Sequence, residues 1–333
     1  MEQRKLGKDG PLISAIGFGA MSFSNFYGPV VEKEAHAILD RCLEAGITHI
    51  DTADIYGNGF SEDCIGSYLK SASAEVKAHF SIATKAGIYR SPEGERAHRN
   101  DKEYLTQQLD ASLRKMGLEA VDCFYVHRRD PATPIEDVTE ILAGFIKAGK
   151  IKGFGFSEIA PSSLRRAHSV HPVMAVQSEY SLSVRSPELG LVQTCAELGT
   201  AFVAFSPVAR SLLTDKPHDL EKLKSIPFLE NNPRFMEPNL SANVALTEPF
   251  RALAKDCGLT AAGLAIAWLL HQSDHIIPIP GTRYVSHLNE AIAGAGFTMT
   301  EEVAREIDRI LPIGWAHGDR YSEHQWFGPE RYC

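Results

Sequence analysis

The run from Asp51 to Tyr56, followed by Gly57, contains two side chains that can exchange a proton. It closes an apolar segment, residues 47–50, that is short enough to be one buried strand. A carboxylate at the end of a strand and a phenol in the loop that leaves it place two titratable groups at one mouth of a barrel or sheet. Folds that alternate strands and helices carry their chemistry at that edge.

Further polar side chains end the strands predicted next along the chain, namely Lys85, His127, Ser157 and Gln177. A free phenol titrates near pH 10, roughly three units too high for acid catalysis near neutrality. A lysine ammonium group beside Tyr56 favours the phenolate, and Asp51 would hold that lysine charged and oriented. His127 could then donate a hydrogen bond to a carbonyl oxygen as a hydride arrives. Together these groups predict a tuned proton donor that faces a carbonyl.

Each of these residues also has an ordinary interpretation. Lys85 could be a surface lysine at the end of a strand, Asp51 could cap the next turn, and a single histidine such as His127 is more often structural than catalytic. The functional interpretation therefore depends on their convergence at consecutive strand ends, which share one face in a barrel.

Strand-like and helix-like segments alternate along the chain, and this order predicts the elements that must position these groups. The predicted strands are residues 16–21, 47–51, 79–85, 121–127, 152–157, 174–177, 200–205 and 276–278. Eight strands, each followed by a helix, predict a (β/α)8 TIM barrel, with a doubly wound open sheet as the alternative. We expect residues 1–333 to form a single domain.

Two further features surround the predicted barrel. A Gly-Lys-Asp-Gly turn within residues 4–14 predicts a small N-terminal hairpin. Between the seventh and eighth strands, residues 206–244 form a long connection of the kind that often serves as a lid or a pocket wall.

The composition limits the classes of partner. With 42 acidic and 34 basic side chains the formal charge is -8, and no dense Lys/Arg cluster occurs, so nucleic acid and membrane are not expected as partners. The N-terminus lacks the apolar region of a signal peptide, and the longest apolar stretch, residues 261–270, is too short to span a bilayer. Reduced thiols in a cytoplasmic protein are expected, because no Cys-x-x-Cys occurs among Cys42, Cys64, Cys123, Cys195, Cys257 and Cys333.

Two other patterns concern metals and phosphates. His271 and His275 have the spacing of a zinc site, but Gln272 stands where the glutamate is required, so no metal is predicted. Residues 280–283, Pro-Gly-Thr-Arg, follow the eighth predicted strand and precede a helix that starts near Tyr284. A helix N-terminus with a hydroxyl and a guanidinium group suits a phosphate, although a turn with an exposed arginine explains the same residues.

These residues resemble the aldo-keto reductases, NADPH-dependent barrel enzymes that reduce aldehydes and ketones. The resemblance runs from Leu6 to about Tyr321. Its most specific parts are the Asp51 to Gly57 run, Lys85 after Ala-Thr, the His127-Arg128 pair and residues 279–283. The chain is most similar to the longer branch that contains pyridoxal reductase-like and perakine reductase-like enzymes, on the basis of residues 177–182 and 231–235.

The resemblance implies catalytic roles for four residues and cofactor contacts for a larger set. Tyr56 would be the acid and base, Lys85 and Asp51 would tune its pKa, and His127 would orient the carbonyl. NADPH/NADP+ would be bound by Met21, Asp51, Ser157, Glu158, Gln177, Phe205, Ser206, Pro207, Val208, Arg210, Gly281, Thr282, Arg283, His287 and Glu290.

Within that set, the resemblance assigns the nicotinamide carboxamide to Ser157 and Gln177, and the face of the ring to Phe205. Arg210 would contact the pyrophosphate. The 2′-phosphate and adenine would face Gly281 to Arg283, His287 and Glu290. This sequence departs from the common family pattern at Glu158, Phe205 and Ala291, and at Ala209 and Ser211, which stand where relatives have glycines.

The leading prediction is a reversible NADPH-dependent reduction of aldehydes or ketones, in which hydride leaves C4 of the nicotinamide and Tyr56 protonates the oxygen. The predicted substrate pocket is mostly aromatic and consists of Phe23, Phe26, Tyr27, Tyr89, Arg128, Trp315, Trp326 and Phe327. Such a lining favours an aryl or otherwise apolar substrate, although the same residues could be core or lid. The alternatives are an NADP-binding regulatory or scaffold protein, like the β-subunits of potassium channels, and a phosphate-handling barrel isomerase or aldolase with Lys85 as nucleophile.

Overall fold

The computed structural model describes residues 1–91 and 96–332, so Cys333 lies outside the described residues. The strands, numbered in chain order, are β1 Gln3–Lys5, β2 Leu12–Ser14, β3 Phe18–Gly19, β4 His49–Asp51, β5 Ser81–Ala86, β6 Ile88–Arg90, β7 Arg96–His98, β8 Val121–Val126, β9 Ile151–Ser157, β10 Ala175–Glu179, β11 Ala201–Phe205 and β12 Ile276–Pro278. Within the described residues, eight parallel strands form one sheet in the order β3-β4-β5-β8-β9-β10-β11-β12.

The sheet closes into a barrel. The backbone N–H of Gly17 donates to the carbonyl of Pro278 at 2.9 Å, and that of Gly19 donates to Pro280 at 3.1 Å. These bonds join the first and last barrel strands, so no open edge remains between them. The predicted (β/α)8 barrel is confirmed, and the open-sheet alternative is wrong.

Helices cover the outside of the barrel. They are α1 Glu32–Ala45, α2 Phe60–Ser71, α3 Ala74–His79, α4 Lys102–Met116, α5 Ile135–Lys147, α6 Pro161–Val170, α7 Leu191–Leu198, α8 Leu220–Leu223, α9 Pro227–Glu230, α10 Asn239–Leu246, α11 Glu248–Asp256, α12 Ala261–Gln272, α13 Val285–Ala295 and α14 Glu301–Ile310. Local signals set several of their ends. Asp101 caps α4 by accepting the N–H of Tyr104 at 3.0 Å, and Gly117 ends it in the left-handed conformation at φ 65°.

Two small hairpins flank the barrel. The N-terminal hairpin pairs β1 with β2, as predicted, with Arg4 opposite Ile13. Its Arg4 guanidinium group donates to the carbonyls of Leu270 and Ile276 at 2.8 and 2.6 Å, so the hairpin is fixed against the last helix–strand unit of the barrel. The second hairpin, β6 with β7, was not predicted.

The interior of the barrel and the layer between strands and helices form two separate hydrophobic clusters. The interior cluster includes Ala83, Cys123 and Tyr125, and the thiols of Cys42, Cys64, Cys123 and Cys195 are free and buried. No single helix of the described residues is long and apolar enough to cross a membrane. The segment Asn239–Asp256, which contains α10 and α11, and the following helix α12 are together long and apolar enough, but they are bent by 84° relative to each other.

The first barrel strand is shorter than predicted. The pattern of residues 16–21 predicted a strand over the whole run, but β3 contains two residues and Ala20–Phe23 form a 3-10 helix. The long connection after β11 likewise contains the short helices α8 and α9 and the beginning of α10. These turns carry the chain over the carboxyl ends of the strands.

Candidate active site

Lys85 occupies the centre of the barrel mouth. It lies on β5, is fully buried, and its ammonium group contacts the Oδ1 atom of Asp51 at the end of β4. The same group donates to the carbonyl of Thr52 at 2.8 Å and to the hydroxyl of Tyr56 at 3.4 Å. The structure therefore brings together the acid and the phenol that the sequence places at one strand end and the lysine that it places at the next.

A tight turn positions Tyr56. Three consecutive residues after it have positive φ, with values of 63° at Gly57, 55° at Asn58 and 92° at Gly59. Two of the three are glycines, for which this conformation carries no steric cost. The turn folds the chain back into α2 directly after Tyr56, which keeps the phenol side chain over the barrel mouth.

Burial and neighbouring charges have opposing effects on the pKa values of Lys85 and Tyr56. Burial lowers the pKa of Lys85, but Asp51 and Tyr56 outweigh it, and the pKa of the lysine is raised above its ordinary value. Burial raises the pKa of Tyr56, and the opposing effect of Lys85 is smaller, so the phenol also titrates above its ordinary range. The lowered pKa that we expected for Tyr56 is therefore not found. The phenol is instead protonated at neutral pH, which is the state that a proton donor requires.

His127 lies directly beside Tyr56. It follows β8, and its ring is nearly perpendicular to the phenol ring, with centroids 5.7 Å apart and an angle of 85°. Its carbonyl accepts a hydrogen bond at 2.6 Å from the Arg128 guanidinium group, which also donates to the Ser157 hydroxyl at 2.9 Å. Arg128 thus fixes the backbone at His127 to the next strand of the barrel.

The residues expected at the nicotinamide end lie on neighbouring strands. Ser157 of β9 is the register partner of Gln177 of β10, and both are buried. The Nε2 atom of Gln177 donates to the Oδ2 atom of Asp51 at 2.7 Å. Phe205, at the end of β11, keeps part of its ring exposed and packs on the interior cluster.

The loop after β11 has an unusual backbone. Ser206, Ala209, Arg210 and Ser211 all have positive φ, with values between 51° and 97°, and Pro207 and Val208 lie between them. Non-glycine residues rarely adopt this conformation, and such strain concentrates at functional sites. Ala209 and Ser211 therefore hold a backbone conformation that glycine adopts more readily.

The expected adenosine end lies where β12 leads into α13. Gly281 packs on the first strand so closely that an added Cβ would lie 2.5 Å from the carbonyl of Gly19. Arg283 donates to the carbonyl of Pro29 at 2.8 Å, and its guanidinium group lies beside Tyr284, the residue before α13. Thr282 precedes α13, whereas His287 and Glu290 lie on the first two turns of this helix. Met21 lies in the 3-10 helix Ala20–Phe23, whose Ser22 hydroxyl donates to the carbonyl of Thr282.

A largely buried network of four charges lies at the ends of β9 and β10 and was not predicted. Arg320, from the C-terminal segment, makes ion pairs with Glu158 and with Glu179, the latter at 3.2 Å. Arg210 donates to Glu179 at 2.7 Å and to the carbonyl of Arg320 at 2.8 Å. Burial raises the pKa of Glu158, but Arg320 outweighs it and holds the pKa of this carboxyl below its ordinary value.

The network changes two expectations. Glu158, at φ 58°, directs its carboxylate to Arg320 and to the N–H of Glu179, so it faces the network rather than a carboxamide. Arg210 is buried between Glu179, Phe228 and Tyr321, so a contact with a pyrophosphate would compete with an existing ion pair. In the sequence, the only sign of this network is that a glutamate stands at the end of each of two consecutive strands.

The predicted pocket residues divide into two groups. Phe26 and Tyr27 follow the first strand, Tyr89 lies on β6, and Arg128 contacts Ser157. Trp315 does not line this mouth, because it is buried in the core and its indole N–H donates to the carbonyl of Leu182 at 2.8 Å.

Three further aromatic residues of the predicted pocket lie elsewhere. Phe23 is also a core residue and packs on Phe18. Trp326 lies between the guanidinium groups of Arg320 and Arg331, and Phe327 stacks on His98. The two last contacts place the C-terminal segment against the second hairpin and the charged network.

Comparison with known proteins extends these observations. Residues 15–312 match the Aldo/keto reductase family. The aldo-keto reductase yakc of Schizosaccharomyces pombe, named for NADP(+), is 35% identical over 322 residues and covers 96% of this chain and 94% of its own length. A probable aldo-keto reductase of Glycine max is 36% identical, covering 95% of this chain and 91% of its own.

Solved structures give the same fold. A glycerol dehydrogenase from Gluconobacter oxydans matches with a TM-score of 0.82 at 23% identity, covering 93% of this chain and 94% of that one. The thermostable aldo-keto reductase Tm1743, in complex with the inhibitor epalrestat, matches with a TM-score of 0.75 at 25% identity, covering 93% and 100%. The barrel, the grouping of Asp51, Tyr56, Lys85 and His127 at its mouth, and these likenesses lead to one assignment: the chain belongs to the aldo/keto reductase family.

Proposed function

We propose that this chain reversibly reduces aldehydes or ketones to alcohols, with NADPH as hydride donor and Tyr56 as proton donor. The observation that carries the proposal is the buried ammonium group of Lys85, which contacts Asp51 and lies 3.4 Å from the Tyr56 hydroxyl. A phenol beside an ammonium group can release a proton because its anion is stabilised as it forms. Membership of the family and the NADP(+) in the name of the Schizosaccharomyces pombe relative support the same reaction class.

The residues at the mouth fit a dinucleotide. Ser157 and Gln177 would hold the carboxamide, and the exposed part of Phe205 offers a face for the ring. At the other end, Arg283 stands before the first turn of α13, and a helix N-terminus with a guanidinium group suits the 2′-phosphate. NADPH, when bound, supplies the hydride, and every other chemical task falls to side chains of this chain.

Tyr56 and His127 face the substrate oxygen in this proposal. His127 donates a hydrogen bond to the carbonyl and stabilises the charge that develops on its oxygen. Tyr56 then gives its proton to that oxygen. An alkoxide is a much stronger base than a phenolate, so the transfer is favourable even though burial raises the pKa of Tyr56. Lys85, held by Asp51, stabilises the phenolate that remains.

The substrate specificity would come from the aromatic side chains of the loops at the barrel mouth. Phe26 packs edge-on against Phe228 with centroids 6.1 Å apart, and Tyr27 lies close enough to Arg210 and Tyr321 for their charges to influence its pKa, which burial raises to about 12. Aromatic walls and a neutral phenol favour an aryl or otherwise apolar carbonyl compound. This part of the proposal is tested by comparing aryl and short aliphatic aldehydes in one panel.

The decisive experiment measures carbonyl reduction by the Tyr56→Phe variant. The loss of NADPH absorbance is recorded with a panel of aldehydes and ketones. We expect kcat to fall by about 100-fold or more, because general acid catalysis typically contributes that much. Tyr68→Phe is the matched control, since Tyr68 is a largely buried tyrosine on α2 whose hydroxyl contacts Asp40 outside the barrel. Turnover of Tyr56→Phe within a few-fold of the parent protein would contradict the assignment.

The same assay separates the two other interpretations. A parent protein that binds NADPH tightly and reduces no member of the panel would favour a regulatory or scaffold role. Trapping of a carbonyl ligand on Lys85 by borohydride would favour an aldolase or isomerase. The ion pair with Asp51 argues against that outcome, because a nucleophilic lysine must be neutral and here the pKa of Lys85 is raised.

A further inference from the structure

The carboxylate of Asp51 is held by side chains from two different strands of the barrel. Its Oδ1 atom contacts Lys85 on β5, and its Oδ2 atom accepts a hydrogen bond of 2.7 Å from Nε2 of Gln177 on β10. In the strand order, β4 and β10 lie four positions apart in an eight-stranded barrel, so they face each other across its interior. The Gln177 side chain therefore crosses the barrel to reach Asp51.

The chemistry of the two groups determines which end of the amide makes this contact. An ionised carboxylate only accepts hydrogen bonds, so the group of Gln177 that faces Asp51 must be its NH2. The amide carbonyl then points away from Asp51. Ser157 is the register partner of Gln177 on β9, and these are the two residues to which the proposed function assigns the carboxamide of the nicotinamide.

We propose that Gln177 is a positioning residue that joins the nicotinamide site to the proton donor, with its NH2 group fixing Asp51 and its carbonyl oxygen accepting from the cofactor carboxamide. The cofactor end of this inference rests on the proposed function, whereas the Asp51 end rests on the observed contact alone. Through Asp51, Gln177 sets the position of Lys85 relative to Tyr56. Cofactor binding and proton donation are thus coupled through one side chain.

The coupling has a physical basis in burial. Asp51 is 1% exposed, so loss of the Gln177 donor leaves a charged oxygen without water to replace it. The carboxylate then loses one of its two fixed contacts, and Lys85 loses its defined place beside Tyr56. The other groups around the phenol are His127, whose ring packs on it, Arg128, whose charge opposes the effect of burial on the pKa of Tyr56, and Tyr27, whose pKa is raised by burial and also by Tyr56. None of these three contacts replaces the contact between Gln177 and Asp51.

The first test needs no cofactor. Urea unfolding of the parent protein, Gln177→Met, Asp51→Asn and the double variant gives a double-mutant cycle for the ligand-free chain. We expect a coupling on the order of tenfold in the unfolding equilibrium constant, because contacting residues in one hydrogen-bond network are not additive. Additive effects would overturn the contact that the inference depends on. This outcome does not depend on whether the chain is a reductase.

The second test separates holding the cofactor from positioning the acid. NADPH affinity is measured by fluorescence titration, and kcat with its solvent isotope effect is measured at saturating NADPH, for Gln177→Met and for Ser157→Ala. Ser157 is the matched control because it shares the expected carboxamide site but contacts Arg128 instead of Asp51. We expect both variants to weaken NADPH binding, and only Gln177→Met to lower kcat, by about tenfold, with an increased solvent isotope effect.

The outcomes distinguish the inference from the proposed function. If Gln177→Met matches Ser157→Ala in kcat and isotope effect, Gln177 only holds the cofactor and the inference fails. If the parent protein neither binds NADPH nor reduces a carbonyl, the proposed function fails, and the ligand-free cycle still decides the contact with Asp51. Gln177→Asn, which keeps an amide one methylene shorter, replaces Gln177→Met if that variant does not fold, and the same results are expected.

Discussion

The ammonium group of Lys85 has an acceptor for each of its three protons, namely Asp51, the carbonyl of Thr52 and the hydroxyl of Tyr56. A lysine has three N–H donors, so all are engaged within the protein. The group can therefore stabilise a phenolate but has no donor left for a substrate oxygen. That division leaves Tyr56 and His127 as the side chains suited to contact the carbonyl.

Asp54, which lies between Asp51 and Tyr56, affects the pH dependence of stability. Its Oδ1 atom is buried, and burial, followed by the nearby Glu62, raises the pKa of this carboxyl to about 8. An unfolded aspartate titrates near 3.9, so the unfolded chain releases this proton at a lower pH than the folded one. The contribution of Asp54 to the free energy of unfolding is therefore complete below about pH 4, and it is lost as the pH rises toward 8.

We expect Asp54→Asn to unfold at a higher urea concentration than the parent protein at pH 8, with a gain of about 1–3 kcal/mol, and to gain less at pH 5. An amide keeps the shape of the side chain and has no proton to lose. Asp9→Asn, at an exposed turn of the first hairpin, is the control and should leave the pH dependence unchanged. Parallel stability curves for Asp54→Asn and the parent would exclude this role for the raised pKa.

At the scale of elements, the segment after α14 acts as part of the barrel mouth. Arg320 contacts Glu158 and Glu179 at the ends of β9 and β10. Further along, Glu330 pairs with Arg129 and accepts the N–H of Ala160 at 2.7 Å, at the start of α6. The segment is thus fastened at two places to the strand ends that surround the proposed cofactor site.

Arg320→Met tests this fastening. Removal of one partner from a buried ion pair typically costs about 3–5 kcal/mol, because a charge remains buried without compensation. We expect the urea midpoint to fall accordingly, and Glu158→Gln in the same chain to recover part of the loss. Arg309→Met is the control, since its pair with Glu306 is exposed on α14, and solvent screening leaves such a pair with little effect on stability. Equal effects of the two arginine variants would contradict a structural role for the network.

The elements also show what sequence patterns can and cannot predict. The ends of α1 and α4 follow from Gly46 and Gly117, which cap helices through their own backbone conformation. The β6–β7 hairpin has no such local signal, because three residues on each side pair only in the context of the barrel. Arg320 and Glu158 are 162 residues apart, so no local pattern could reveal their contact.

At the scale of the whole molecule, the closed parallel barrel explains why the central site was predictable. Parallel strands end on one face, so polar residues at or near the carboxyl ends of β4, β5 and β10 had to meet. The sequence could not tell which aromatic residues line the mouth and which fill the core. Trp315 and Phe26 look alike as residue types, and only packing assigns the first to the core.

The same closure makes the interior intolerant of added volume. Along β9, Gly153 and Gly155 alternate with residues that face the helices, and larger side chains from neighbouring strands fill the space they leave. A Cβ at Gly155 would lie 2.4 Å from the ring of Tyr125 and 2.4 Å from the carbonyl of Ala175. Relief of either contact requires a shift of β8 or β10, and the site includes Gln177 on β10 and His127 directly after β8.

We therefore expect Gly155→Ala to destabilise the protein by about 1–3 kcal/mol, as overpacking of a filled core does. Gly144→Ala is the matched control, because among the described residues no atom beyond its chain neighbours and the nearby backbone of its own helix lies within 4 Å of the added Cβ, and its position in α5 favours alanine by about 0.5–1 kcal/mol. Urea unfolding of both variants decides the matter. An unchanged or raised urea midpoint for Gly155→Ala would mean that the barrel accommodates the added methyl group, contrary to the prediction from its packing.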